Sequence, residues 1–441
     1  MIIGLRTKNA KAFIERQITH LQQGGCAVLF RKIKRAWQIL LKLSLRILSV
    51  PFAAPFVLVL RMIRPFVLVR WGGLESSRIG HFAANTEMYL CERNAGINVP
   101  KQRHVDLFYM AYKPICNQQL GIMWERVLHI WPSWIISPIS LVNRLIPMGA
   151  IHEIGNNTQH DRDVHNLRDQ YPPYLEFTPE EETRGESCLR AMGIPAKTPF
   201  VCLNMRDSDY LAEHFHGGDF SYHNYRDSNI QNYVLAAEEV AKSGYFVIRM
   251  GKKVREAMET IHPRVIDYAT NGMRSDFMDI YLSAKCEFFI STGEGLICVP
   301  MLFRRPIVVI NMVPIGYYFT YYSNLIGITK HYYSTVEIRK LNLKEIFNRG
   351  VGFSLYTSDY TSKSIELIEN KPEEIRDVVI EMVKRLNGTW QPHMDDEDMQ
   401  HLFWDIFPTD ALEATNKHPL HGEIHARIGA HFLRDNRDWL H

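Results

Sequence analysis

Acidic residues are almost missing from one end of this chain. Within residues 1–72, Glu15 is the only Asp or Glu against 13 Lys and Arg, so this segment carries +12. The whole chain of 441 residues carries +3, and the remaining 369, with 38 basic and 47 acidic side chains, carry −9. This excludes a protein that binds nucleic acid along its whole surface and indicates an anionic partner met by the N-terminal end alone, such as a membrane. Paired cysteines are lacking too. Seven are scattered at 26, 91, 116, 188, 202, 286 and 298, with no CxxC and no metal-ligand spacing, and they read as reduced thiols of a cytosolic protein. The first 30 residues show no basic stub followed by an apolar core and a small-residue cleavage site, so no secretory signal is expected. Internal repeats and long low-complexity segments are absent. What is present, 46% apolar and 22% charged residues, has the proportions of a globular chain of two domains of about 150–200 residues each.

The basic end alternates Arg31, Lys32, Lys34, Arg35, Lys42 and Arg46 with Ile, Leu and Trp, the pattern of a basic amphipathic helix. The uncharged run ILSVPFAAPFVLVL (47–60) follows, closed by Arg61 and Arg64. As a helix it would span about 21 Å against a hydrocarbon core of about 30 Å, and Pro51 and Pro55 are expected to interrupt it. Residues 1–64 are therefore expected to form a monotopic, re-entrant or surface-lying membrane anchor, the contact with anionic lipid falling on residues 28–64; a buried helical arm or an oligomer interface is the alternative.

From residue 65, short apolar runs ended by Gly alternate with helical stretches, the rhythm of an α/β protein with parallel sheets. PFVLVRWGG (65–73) and HVDLFYM (104–110) read as strands flanking a helix over 78–93, and Asn117 as the cap of the next helix. Thr178, Pro179 and Glu181 open a further helix with a capping box. Strands are then expected at 200–205, 245–250, 264–268, 286–291 and 306–311, and helices at 230–243, 276–284 and 296–303. This gives two Rossmann-type doubly wound domains facing a cleft, one at 65–168 and, after a linker at 169–180, one at 181–390. A helical tail at 391–441 packs back, its last helix read at 427–440.

Chemistry is expected where strands end. In FFISTGEGLICVP (288–300) a strand runs through Ser291, Thr292, Gly293, Glu294 and Gly295 into a helix start, an arrangement suited to phosphate, with Glu294 free to accept from sugar hydroxyls. NMRDSDY (204–210) leads into a long polar loop, in which Arg206 and Arg226 are candidate diphosphate clamps beside Asp207, Asp209 and Tyr225. In RMGKK (249–253), Arg249 and Gly251 join the same sheet edge. GGLESSRIGHFAANTE (72–87) supplies Gly73, Arg78 and Asn85 on the acceptor side. His81, Glu75 or Asp207 is the general-base candidate. Four histidines in HPLHGEIHARIGAH (418–431) read as packing residues, and no metal site is expected.

In RIGHFAANTE, CNQQL, MRDSDY…YRDSNIQNY…GYFVIRMG and STGEGL…RRPIVVIN…PIG the sequence resembles a bacterial family of glycosyltransferases encoded among surface-polysaccharide genes. The likeness covers residues 65–440 and leaves out the basic head. It is more distantly similar to fucosyltransferase-type GT-B enzymes, whose donor-binding arginine follows a strand as Arg206 does; Asn204 stands where their H-x-R pattern has histidine. The resemblance implies a GT-B fold, with residues 65–168 as acceptor domain and 181–390 as nucleotide-sugar domain, and transfer from a nucleotide-diphosphate sugar, without cofactor or metal and with inversion. The implied acceptor is a glycan, lipid-linked at the inner face of the cell membrane, and no nucleic acid partner is implied. A nucleotide-sugar epimerase on the same fold, or a non-catalytic membrane-bound scaffold for polysaccharide assembly, are the alternatives.

Overall fold

The computed structural model describes residues 30, 33, 34, 37, 41, 44, 48, 50–155, 160–206, 221–413 and 417–441. The chain divides into a smaller unit, Met1–Trp71 with Gln102–Asp106 and Trp131–Glu153, and a larger one, Gly72–Lys101 with Leu107–Ile130 and Ile154–His441.

In the smaller unit, residues 50–62 form helix α1. It continues through Pro51 and Pro55, which stand on its exposed side, while Ala53 and Val57 are buried. Helix α4 (Ser133–Leu145) buries Ile136, Ile139 and Val142. The Arg61 guanidinium, at the end of α1, donates to Asn143 Oδ1 at 2.9 Å, to the Ile146 carbonyl at 3.2 Å and to the Pro147 carbonyl at 2.8 Å. Carbonyls at a helix C-terminus lack intrahelical donors, and this arginine supplies them. Arg70 on β1 (Leu68–Leu74) pairs with Asp106 on β2 (His104–Met110) at 2.6 Å, both buried. Trp71 stacks on His152 and donates to Glu153 at 3.0 Å. β1 and β2, whose residues are shared between the units, form a two-stranded sheet.

The larger unit is built on one seven-stranded sheet, and the protein is of the mixed α/β class. The strands are β3 (Phe200–Asn204), β4 (Phe246–Arg249), β5 (Val265–Asp267), β6 (Phe289–Ser291), β7 (Ile307–Met312), β8 (Leu325–Thr329) and β12 (Arg427–Ile428), in the order β12-β8-β7-β6-β3-β4-β5. Every pairing is parallel. Strands covered on both faces read as unbroken apolar runs, which is why FVCLN and IVVINM are buried at every residue. Among the described residues, β1 and β2 are flanked by two isolated parallel bridges, Trp71 with Glu153 and Phe108 with Ile130. A further antiparallel group, β9 (His331–Ser334), β10 (Arg339–Lys340) and β11 (Ile365–Ile368), follows β8.

Thr178 and Glu181 do form the capping box that opens helix α5 (Pro179–Ala191). Asn117 caps α3 (Gln118–Val127), accepting from Leu120 N. The expected final helix at 427–440 is replaced by strand β12 and a short helix, Ala430–Asp435. The reason lies in Gln400, whose side-chain amide bonds both the carbonyl and the N–H of Ile428, at 2.6 and 3.1 Å, and so holds that residue extended at the sheet edge. All six described cysteines are free thiols.

Strand β3 lies between β4 and β6, so the chain leaves it toward one edge of the sheet and later returns on its other side. Crossovers that part in this way open a crevice beyond the C-terminal ends of the two central strands. Asn204 of β3 and Ser291 of β6 are in register there. Helix α2 (Ile79–Asn94) starts against the turn after β6: a Cβ on Gly80 would lie 2.9 Å from Gly295 Cα, backbone against backbone. We expect Gly80→Val to force the two apart and to cost about 1–3 kcal/mol in urea unfolding.

Candidate functional site

A cavity of about 420 Å³ occupies the crevice, and every residue lining it belongs to the larger unit. One wall is the ends of β3, β6 and β4: Asn204 to Arg206, Gly293 to Ile297, and Gly251 to Val254. Another is the start of α2, Ser77 to His81. Arg226, His223, Asp161, Arg274, Asp279, Asn117 and Tyr222 add to the polar lining.

The turn after β6 is fixed by one carboxylate. Glu294 accepts from the Ser291 hydroxyl at 3.0 Å, from the Thr292 N–H at 3.1 Å and hydroxyl at 2.9 Å, and from the Asn204 amide at 2.5 Å. Gly293 supplies the left-handed φ of +80° that the turn requires. The carboxylate expected to accept from a sugar is thus engaged by its own turn, and the Ser291 and Thr292 hydroxyls are engaged with it. Asn204, at the position of the histidine in the H-x-R pattern, serves as a donor to that carboxylate.

Positive charge converges on the cavity. Arg206 is anchored by its N–H to Thr292 Oγ1 at 2.8 Å and pairs with Asp227 at 3.2 Å. Arg226 donates to the Gly293 carbonyl at 2.7 Å, and its Nε is buried without a partner. Burial and the neighbouring Arg206 charge lower the pKa of Arg226, so in the empty site its charge is unfavourable. Arg78 stands exposed at the N-cap of α2, with no ion pair among the described residues. No side chain caps that helix and its first turn holds no acid, so free N–H groups and the positive end of the macrodipole face the same space. Lys252 and Lys253 also line it; Arg274 does too, but it is paired with Asp276 and Asp279.

Two residues with chemical potential stand beside these cations. His223 has a buried, unpartnered Nδ1, and burial followed by the charges of Arg206, Arg226 and Arg78 pushes its pKa down to about 4. His81 turns Nδ1 toward two oxygens, Asn85 Oδ1 at 3.3 Å and Asp161 Oδ2 at 3.7 Å. Two acceptors facing Nδ1 assign the proton to that nitrogen and leave Nε2 with its lone pair.

Of the residues named from sequence, Arg78, His81, Arg206, Arg226, Gly251, Gly293, Glu294 and Gly295 line the cavity. Gly73, Glu75, Asn85, Tyr225, Ser291 and Thr292 do not, although Asn85 contacts His81 from behind. Tyr225 is buried and packs on Tyr360. Arg249 is corrected: it is 1% exposed, with its guanidinium bound to Asp267 at 3.0 Å and to the Glu256 carbonyl at 2.9 Å, so its charge is neutralised inside the fold. Asp207 and Asp209, which form a D-S-D triplet just after β3, lie outside the described residues. Sequence reasoning missed His223, although it sits in the polar loop that was singled out, and Asp161, which no local pattern marks. Among the described residues, no three His, Cys, Asp or Glu side chains come together to hold a metal ion.

No protein-family model matches the sequence. No curated protein matches it. Among solved structures, the chain is similar to a glycosyl transferase family 9 protein from Veillonella parvula, at 13% identity and a TM-score of 0.41 over 73% of this chain and 97% of that one. It is similar to the ADP-heptose LPS heptosyltransferase II of E. coli, at 13% identity and a TM-score of 0.34 over 55% and 84%. It is also similar to the UDP-GlcNAc 2-epimerase of Neisseria meningitidis, at 12% identity and a TM-score of 0.28 over 56% and 82%.

Proposed function

We propose that this chain is a glycosyltransferase of GT-B type that moves a sugar from a nucleotide-diphosphate donor to a hydroxyl of a surface-glycan acceptor, lipid-linked at the inner face of the cell membrane. The observation that carries this reading is the convergence of Arg78, Arg206, Arg226 and the uncapped start of α2 on one cavity at the switch point of the sheet. Two linked phosphates are the ligand that such a set of donors fits.

In this reading the acceptor oxygen attacks the anomeric carbon while its proton passes to His81 Nε2. The bond from that carbon to the diphosphate oxygen breaks, and the electron pair leaves with the nucleoside diphosphate. Arg206 and Arg226 offset the charge that grows on the leaving oxygens, so neither a cofactor nor a metal ion is called for. Asp161 holds the His81 ring and stabilises it once it is protonated. A single displacement inverts the anomeric centre, which product NMR will read. Because two acidic residues, Asp207 and Asp209, follow Arg206 in the sequence, the informative control is a chelator, and transfer should survive EDTA unchanged.

The reading is tested with a panel of nucleoside diphosphates in a thermal-shift assay, followed by the matching nucleotide sugars with and without acceptor. One base should stabilise the protein, and sugar should move only with acceptor present. Conversion of the nucleotide sugar without acceptor would indicate an epimerase instead, and no shift across the panel would indicate a scaffold.

A pH effect follows from His223. Its pKa is about 4 in the empty site, and an arriving diphosphate raises it by cancelling the three arginine charges. Binding therefore takes up protons, and affinity for the nucleotide sugar rises as pH falls from 7 toward 5. Calorimetry at pH 6 in two buffers of different ionisation enthalpy will measure the uptake; His223→Gln should abolish it.

A further inference from the structure

The charge asymmetry of this protein follows its two units. The smaller unit holds 15 Lys and Arg against three acids, Glu15, Asp106 and Glu153. Two of the acids are committed internally, Asp106 to Arg70 and Glu153 to Arg144. The unit is thus +12, and on it stand large apolar side chains turned to solvent. On α1 these include Phe52 and Phe56, one turn apart, and Met62. On α4 they are Trp134, 77% exposed, and Leu145, 72% exposed, and the loop after the helix adds Met148. Trp134 and Leu145 are eleven residues apart, three helical turns, and so share one face of α4, with the buried Ile136 and Ile139 on its far side. The bonds from Arg61 to Asn143, Ile146 and Pro147 tie the end of α1 to the end of α4.

Exposed apolar side chains of this size mark a surface that meets something apolar. The strong positive charge of the same unit selects the partner. A second copy would bring +12 against +12, and a nucleic acid would leave Trp134 and Leu145 without apolar cover. An anionic bilayer satisfies both features, since basic groups meet headgroups while Trp, Phe and Leu enter the boundary with the acyl chains. No described helix is long and apolar enough to cross a membrane.

We infer that α4 and the loop through Met148 form a second lipid-docking face, so that the smaller unit binds an anionic bilayer through two helices and not through the basic head alone. This does not depend on the chemistry of the cavity in the larger unit.

The test is co-sedimentation of the full chain with phosphatidylcholine vesicles and with vesicles that also contain phosphatidylglycerol. Wild type should partition to the mixed vesicles and retain a salt-resistant fraction from apolar insertion. Trp134→Glu/Leu145→Glu, with residues 1–64 intact, should lower partitioning tenfold or more and shrink that fraction to what α1 alone supports, while Trp134→Phe keeps it. Circular dichroism and thermal unfolding of the soluble protein confirm that the variant is folded. Partitioning of the double variant equal to wild type overturns the inference. So does a double variant that still binds vesicles but has lost a dimer seen for wild type by light scattering, because the face would then join two copies.

Discussion

Arg226→Ala will weaken nucleotide-sugar binding by about 10- to 100-fold, the range expected for a buried hydrogen bond from a cation to phosphate. The empty protein will keep its unfolding temperature or gain slightly. The two halves have one cause. Arg226 is half-buried, has an unpartnered Nε, donates to the Gly293 carbonyl among the described residues, and feels the charge of Arg206. Its charge is a cost until an anion arrives, so truncation removes repulsion from the empty state and attraction from the bound one. Arg206→Ala should behave differently: it removes an ion pair with Asp227 at 3.2 Å and the packing of the arginine stem, so it should lower thermal stability as well as affinity. Calorimetric titration beside thermal unfolding separates the two. A dissociation constant for Arg226→Ala within twofold of wild type would remove the diphosphate from this cavity.

The framework of the large sheet was legible because each parallel strand, covered on both faces, had to be an apolar run ended by a turn. FVCLN, IVVINM and the Gly-ended helices announce themselves in this way. The direction of a polar side chain at a strand end was not legible. Arg249 ends one apolar strand and Arg206 follows another, yet Arg249 turns inward because Asp267 of β5 waits beside it, while Arg206 reaches the cavity. Glu294 looked free for a ligand, because nothing local says that Ser291, Thr292 and Asn204 will converge on it. The tail shows the same limit: residues 427–440 have helical spacing, and a side chain 28 residues away makes their start a strand. Long-range pairs of this kind decide function and leave no mark on spacing.

Asp161 belongs to that class, and it gives the sharpest test of the chemistry. His81→Ala should lower kcat by about 10²–10⁴-fold, the contribution of a positioned general base, with nucleotide-sugar affinity unchanged. Asp161→Asn removes the carboxylate that faces Nδ1 at 3.7 Å, while Asn85 still accepts at 3.3 Å from the other side. The ring then keeps its tautomer but loses the charge that stabilises it when protonated, so kcat falls by less than in His81→Ala and KM for the donor stays constant. If the two act as one unit, the double variant is no slower than His81→Ala alone, because the carboxylate has no role without the imidazole. Rate losses that multiply in the double variant would mean that Asp161 works on the substrate independently of His81. A loss confined to KM would move both residues from proton transfer to acceptor binding.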